Sequence, residues 1–273
     1  FDKNELEVLH LKNAGEIGSL ELAMNILINQ NFSEIVYLAE DDYFYLPNQF
    51  EKMVKLLKSD SEVDFITPYD HLDYYTYPFH KFQSKIKFFA GKHWRTVVST
   101  CNTYLTSKKT LIKTNGIFLR SYSSQKMFTN IILKLKKENF LKQIFRDFLP
   151  RSLDADVWLS LTKMKIYNLF IILKYRYHYP KVYGIYFRTW RYNWKQVLFG
   201  KKWNLWCPIP SIATHMVKTC LAPGIDLTYF FSNPKEKIAD YPNRSAIIFG
   251  IETIDGYFIY YMRIRRRTLI VEI

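Results

Sequence analysis

Short apolar runs alternate with amphipathic stretches over the first seventy residues. Residues 7–11 (EVLHL) read as a short strand and Asn13-Ala14-Gly15 as a turn. Ser19 is placed to cap a helix over 20–28, where apolar residues recur at helical spacing. The run 35–39 (IVYLA) is β-branched and aromatic and too short for a stand-alone helix, which predicts a buried strand. Glu40, Asp41 and Asp42 follow it at once. Pro47 is expected to open an amphipathic helix to Leu57, and 63–67 (VDFIT) forms the next predicted strand, closed by Pro68. This order of strand, helix, strand, helix, strand predicts an α/β fold with a mostly parallel sheet flanked by helices. Ligands sit at the carboxyl ends of strands in such sheets. The acids after Ala39 and the Tyr69-Asp70-His71 group both fall there.

Beyond about residue 80 the pattern changes. Residues 85–89, a turn at Ala90-Gly91 and 94–100 predict a hairpin, with 103–106 as another strand and Ser107 as a helix start. Residues 128–148 have the spacing of one long or two short basic amphipathic helices, and 153–164 of a further helix with Asp154 and Asp156 near its start. Residues 174–206 interleave Lys and Arg with Tyr and Trp and show little periodicity; strands and loops covering the core are one reading of them. Cys207-Pro208-Ile209-Pro210 reads as a rigid break. Residues 1–230 are expected to form one domain and 231–273 a C-terminal tail.

Composition narrows the functional classes. An apolar fraction of 48% over 273 residues is enough for a packed core. The formal net charge of +14 suits a polyanionic partner: nucleic acid, anionic lipid or a sugar-linked diphosphate. Cys101, Cys207 and Cys220 are odd in number and form no CxxC pair, so neither a zinc site nor a disulfide framework is indicated. A reducing, cytoplasmic setting is expected, at the cytoplasmic membrane surface if the basic–aromatic segment 174–206 meets lipid. No stretch reaches the roughly 18–20 apolar residues that span a bilayer. No nucleic-acid-binding motif accompanies the positive charge, so nucleic acid is not an expected partner.

Three acids at the end of a buried strand are costly unless a cation compensates them. Mg²⁺ or Mn²⁺ would do so, since hard cations take carboxylate oxygens and leave positions open for phosphate; a solvated acidic loop is the other reading. Asp41 and Asp42 project to opposite sides if strand geometry persists, so one of them is the direct ligand. Asp70 and His71 are placed to touch a sugar or acceptor, or else to stabilise a turn. Arg95 suits a pyrophosphate or a sugar carboxylate, or a neighbouring carboxylate of the protein.

The segments YLAEDDYFYLPNQFEKM, VDFITPYDHLDYY, HWRTVVSTCNTYLTS, and CPIPSIATH with LAPGIDL together resemble a bacterial and viral group of GT-A-fold, family-two-like glycosyltransferases. The resemblance runs from about Asn13 to about Leu227. It departs at Leu72, where the group carries proline, and at Ser211, where it carries glycine. It implies a metal-dependent transfer of a sugar from a nucleotide-sugar donor to a hydroxyl of a glycan or lipid-linked acceptor, with inversion. By position it implies that Asp42, with Asp41, holds the metal and diphosphate, that Glu40 lies on the ribose side, and that His215 closes the metal site, with Mn²⁺ better suited than Mg²⁺ to an imidazole. Tyr43, Asp70, His71 and Trp94 fall in the matching segments as substrate contacts. Asp156 is the implied base and Asp154 a helix cap. The resemblance also implies a strand and loop for the nucleotide, expected before Phe1. The alternative is a degenerate GT-A domain acting as a non-catalytic glycan- or membrane-binding module. Nucleotidyl transfer would want a Gly-rich phosphate loop, and Asn13-Ala-Gly-Glu-Ile-Gly18 is too slight for one.

Overall fold

The computed structural model describes residues 7–9, 15–40, 43–46, 49–134, 154–164, 166–215, 220–225, 247–254 and 257–264. The strands in chain order are β1 (Glu7–Leu9), β2 (Ile35–Glu40), β3 (Tyr43–Tyr45), β4 (Phe65–Ile66), β5 (Ile86–Phe89), β6 (Lys92–Val97), β7 (Tyr104–Ser107), β8 (Leu205–Ile209), β9 (Ala213–His215), β10 (Ile247–Ile254) and β11 (Tyr257–Ile264). The helices are α1 (Gly15–Asn29), α2 (Phe50–Ser59), α3 (Asp73–Thr76), α4 (Lys108–Lys134), α5 (Asp154–Thr162), α6 (Leu169–His178) and α7 (Pro180–Phe199), with a 3₁₀ turn at Pro78–His80.

The fold is α/β, as expected, but the sheet is mixed rather than mostly parallel. Its order is β1-β10-β11-β2-β7-β4-β8-β6-β5, and only β11–β2 and β4–β8 pair in parallel. The six strands from β2 to β5 carry the site. The parallel expectation fails because β2 and β4 never pair: β7 lies between them, antiparallel to both. The chain leaves β4 through short turns and the β5–β6 hairpin rather than a helical crossover, and hairpins make antiparallel neighbours. The hairpin turns at Ala90 and Gly91, whose φ values of 52° and 72° are those a two-residue primed turn requires.

Strand β2 shows why five successive residues, 35–39, can all be apolar. Val36 and Leu38 enter one core with Leu20, Met24 and Leu27 of α1 and Phe118 of α4. Ile35, Tyr37 and Ala39 enter another with Met53, Val54 and Leu56 of α2. Successive side chains point to opposite faces, and helices cover both, so every position is buried. A third core joins Val98, Leu159, Ile172, Val182, Ile185 and Tyr186, fixing α6 and α7 against α5.

Several local expectations are corrected. Within 174–206, the supposed strands and loops are largely helix: α6 and α7 follow one another across Tyr179, and Pro180 occupies the first turn of α7, where proline is tolerated. The supposed break at Cys207–Pro210 falls largely inside β8. Strand β4 pairs with β8 only at Leu205 and Trp206, so Pro208 sits beyond it with β6 as its one strand neighbour. Helix α2 starts at Phe50, later than Pro47. Residues 247–254 and 257–264, part of the expected tail, form the hairpin β10–β11 between β1 and β2. Of 128–148, only 128–134 falls in a described helix, α4.

Candidate functional site at the ends of the central strands

The carboxyl ends of β2 and β4 are joined by the small second sheet. Tyr43 of β3 lies opposite His215 of β9, and Tyr69 bridges to Ala213. The buried Ser211 hydroxyl locks the segment after β4 to the one after β8: it accepts from Asp70 N at 2.9 Å and donates to Pro68 O at 3.0 Å. The position where the resembled group has glycine thus carries a hydroxyl with a defined task. At the end of β2, the Glu40 N–H donates to Thr103 Oγ1 at 3.0 Å.

These ties gather Glu40, Tyr43, Tyr69, His71 and His215. The Tyr43 ring lies 5.1 Å from His215 and 5.2 Å from Tyr69, and Tyr69 lies 5.0 Å from His71. Burial, the Cys101 thiol and the Glu40 carboxylate all push the Tyr43 hydroxyl well above its ordinary range, so it stays protonated. Burial also lowers the proton affinity of His71; the Asp73 carboxylate opposes this and the nearby His215 adds to it. His71 Nδ1 accepts from Asp73 N at 3.0 Å, which leaves the other ring nitrogen to carry the proton of the neutral form.

Beside this cluster opens a cavity of about 280 Å³, lined by His71, Asp73, His80, Cys101, Asp154 and Lys181 among others. It collects the end of β4, the loop after β6 and the first turns of α5 and α7. Two imidazoles, two carboxylates, a thiol and one ammonium therefore share a single concavity, a composition suited to a polar ligand with both acidic and hydroxyl groups.

Several expected roles change on this geometry. Asp156 is not on the cavity. It is fully buried and accepts two hydrogen bonds from Arg188 of α7, Nε to Oδ2 and Nη2 to Oδ1, both 2.8 Å. A carboxylate clamped in this way is no base for an incoming hydroxyl, and of the two helix-start acids Asp154 is the one that reaches the cavity. Arg95 takes its other reading, a protein carboxylate: Nη2 donates to Asp70 Oδ1 at 2.6 Å, with the guanidinium 4.4 Å over the Tyr75 ring. Asp70 accepts from this guanidinium and, through its other oxygen, from the Tyr75 hydroxyl at 2.6 Å, so both of its oxygens have partners within the protein. The Tyr75 hydroxyl is pushed up to about 12 by burial and by this carboxylate. Trp94 is a core residue: its ring is fully buried on the α2 side and its indole N–H donates to Phe89 O at 3.1 Å.

Asp41 and Asp42 lie outside the described residues. Among the described residues no three His, Cys, Asp or Glu side chains converge as metal ligands. Sequence reasoning missed Cys101, His80 and Lys181. Cys101 is in a loop, His80 closes the 3₁₀ turn and Lys181 is in the first turn of α7, and only the folding of three distant segments onto one cavity makes them neighbours. Comparison with protein-family models, with curated proteins and with solved structures gives no match.

Proposed function

We propose that this chain is a metal-dependent glycosyltransferase that moves a sugar from a nucleotide-sugar donor to a hydroxyl acceptor with inversion. The observation that supports it most is the meeting of Glu40, Tyr43, His71 and His215 at the ends of the central strands, beside a cavity that holds Asp154. Open α/β sheets bind ligands at such ends.

In this reading Asp41 and Asp42, directly after Glu40, supply the carboxylate oxygens that a Mn²⁺ or Mg²⁺ ion takes, with His215 nearby. The ion's chemistry there is to offset charge on the departing diphosphate. Asp154 takes the proton of the acceptor hydroxyl as its oxygen bonds to the anomeric carbon and the bond from that carbon to the phosphate breaks. Neutral His71, on the cavity wall, orients donor and acceptor through hydrogen bonds. Lys181, which lines the cavity, attracts the anionic donor.

Calorimetric titration of UDP and GDP, with and without Mn²⁺, tests the donor site. Metal-dependent binding is expected, weakened about tenfold or more in Asp42→Asn, where 1.4 kcal/mol is a factor of ten. Asp154→Asn should bind nucleotide normally but lower turnover by roughly a hundredfold or more. A folded chain that binds neither nucleotide would instead favour a non-catalytic glycan- or membrane-binding module.

A further inference from the structure

Helix α6 wears its apolar face outward. Phe170 is 88% exposed and Tyr177 80% exposed, with Leu169 and Leu173 also open to solvent. At about 100° per residue these four fall within roughly 100° of the helix circumference. Ile172 and Tyr175, on the other side, are the residues it buries. Lys174 and Arg176 lie just outside the apolar stripe, one on each side, roughly 40° and 20° beyond its edges. Helix α7 continues the theme with exposed Phe187, Trp194 and Leu198 at helical spacing, and with exposed Arg191 and Lys195 beside them. Phe199, 79% exposed, ends the helix.

Monomeric soluble surfaces rarely concentrate large apolar side chains in this way. The charge around them identifies the partner. From residue 157 to residue 225 the chain carries Lys and Arg repeatedly but not one Asp or Glu. A protein partner of mixed surface charge would find no cation-accepting group here. A surface that is apolar below and anionic at headgroup level matches on both counts: aromatic rings enter the acyl boundary while lysine and arginine stems snorkel to the phosphates.

We infer that helices α6 and α7 dock this protein on the surface of an anionic lipid bilayer, lying in the interface without crossing it. Among the described residues no helix is long and apolar enough to span a membrane. The inference does not depend on sugar transfer. The two sites share a helix, since Lys181 and Ile185 of α7 line the cavity.

The test is co-flotation of the full chain with vesicles of phosphatidylcholine alone and of phosphatidylcholine mixed with phosphatidylglycerol, without nucleotide. Strong binding only to the mixed vesicles, weakened by added salt, is expected. Lys174→Gln/Arg176→Gln should lose about fivefold in partitioning per charge removed, from about 1 kcal/mol per cation. Phe170→Ser/Tyr177→Ser should lose more than tenfold while keeping the wild-type circular dichroism and melting temperature, since neither side chain is buried. Equal binding to both vesicle types, or unchanged partitioning of the serine variant, overturns the inference. So does a wild-type dimer that does not bind vesicles and that the serine variant converts to monomer; the face would then belong to a second copy of this chain.

Discussion

Arg188→Met should lower the stability of this protein by about 3–5 kcal/mol, because it leaves the Asp156 carboxylate buried without its partner. The pair is enclosed on both sides, with side-chain exposures of 6% for Arg188 and 3% for Asp156. It joins α5 to α7 where the two helices pack. Asp156→Asn should cost a similar amount, by stranding the guanidinium. For a chain of this size that corresponds to a fall in melting temperature of roughly 10 °C. The double variant Asp156→Leu/Arg188→Met should regain most of the loss, since well-packed apolar residues can replace a buried ion pair. Urea melts of the four proteins read this directly; single variants that lose less than about 1 kcal/mol would mean that water reaches the pair. The same variants separate structure from chemistry. Turnover per folded molecule should fall far less in Asp156→Asn than in Asp154→Asn.

Acid should destabilise the fold through His80, with the second-largest effect. Burial, the His71 imidazole and the Arg95 guanidinium push its pKa down to about 3. Its ring lies 4.9 Å from both Tyr74 and Phe79, and its Nδ1, closed off from solvent, finds no hydrogen-bond partner among the described residues. In the unfolded chain the same imidazole titrates near 6.5. Between these values the unfolded chain binds a proton that the folded chain refuses, so stability rises with pH through the window. The contribution is complete above about pH 6.5 and is lost progressively as pH falls toward 3. It amounts to on the order of 2–4 kcal/mol, taken below the full conversion of 1.36 kcal/mol per unit because the ring is only partly enclosed. His80→Phe keeps an aromatic ring between Tyr74 and Phe79 and removes the proton site. Its stability should fall less steeply between pH 6.5 and 4 than that of the wild type. Parallel curves for the two proteins would remove His80 as the cause.

Local patterns gave up the central elements of this fold and left out what depends on distant partners. Strand β2 was readable because helices bury both of its faces, which forces a continuous apolar run. The hairpin at Ala90-Gly91 was readable because its turn demands positive φ. Helices α6 and α7 were not, for a physical reason. Val182, Ile185, Tyr186, Thr189 and Val197 do recur at helical spacing on the buried side. Phe187, Trp194 and Leu198 occupy the opposite side, so the contrast between faces that betrays an amphipathic helix is missing. The feature that hid the helices is the same one that marks the proposed lipid-facing surface. Among site residues, the acids after Ala39 and the His71 position stood out as polar groups at strand ends, whereas His215 entered through the resemblance alone. Asp154 and Asp156 could not be ranked from their spacing. Which acid reaches the cavity is decided by Arg188, thirty-two positions after Asp156. Likewise Asp70 and Arg95 neutralise one another across two segments that no local rule connects.

The hairpin β10–β11 also bears on how this chain is made. Ile35 at the start of β2 pairs with Ile259 in β11, so the outer edge of a central strand is closed by a segment made more than two hundred positions further along the chain. Until then β2 presents an open row of backbone N–H and C=O groups, paired only on the side of β7. Contacts of such long sequence separation form slowly, because the intervening chain must be ordered before they are gained. A nascent chain paused before residue 257 would carry an exposed, β-rich edge that other chains can join, which makes the interval before β11 is made a period of aggregation risk.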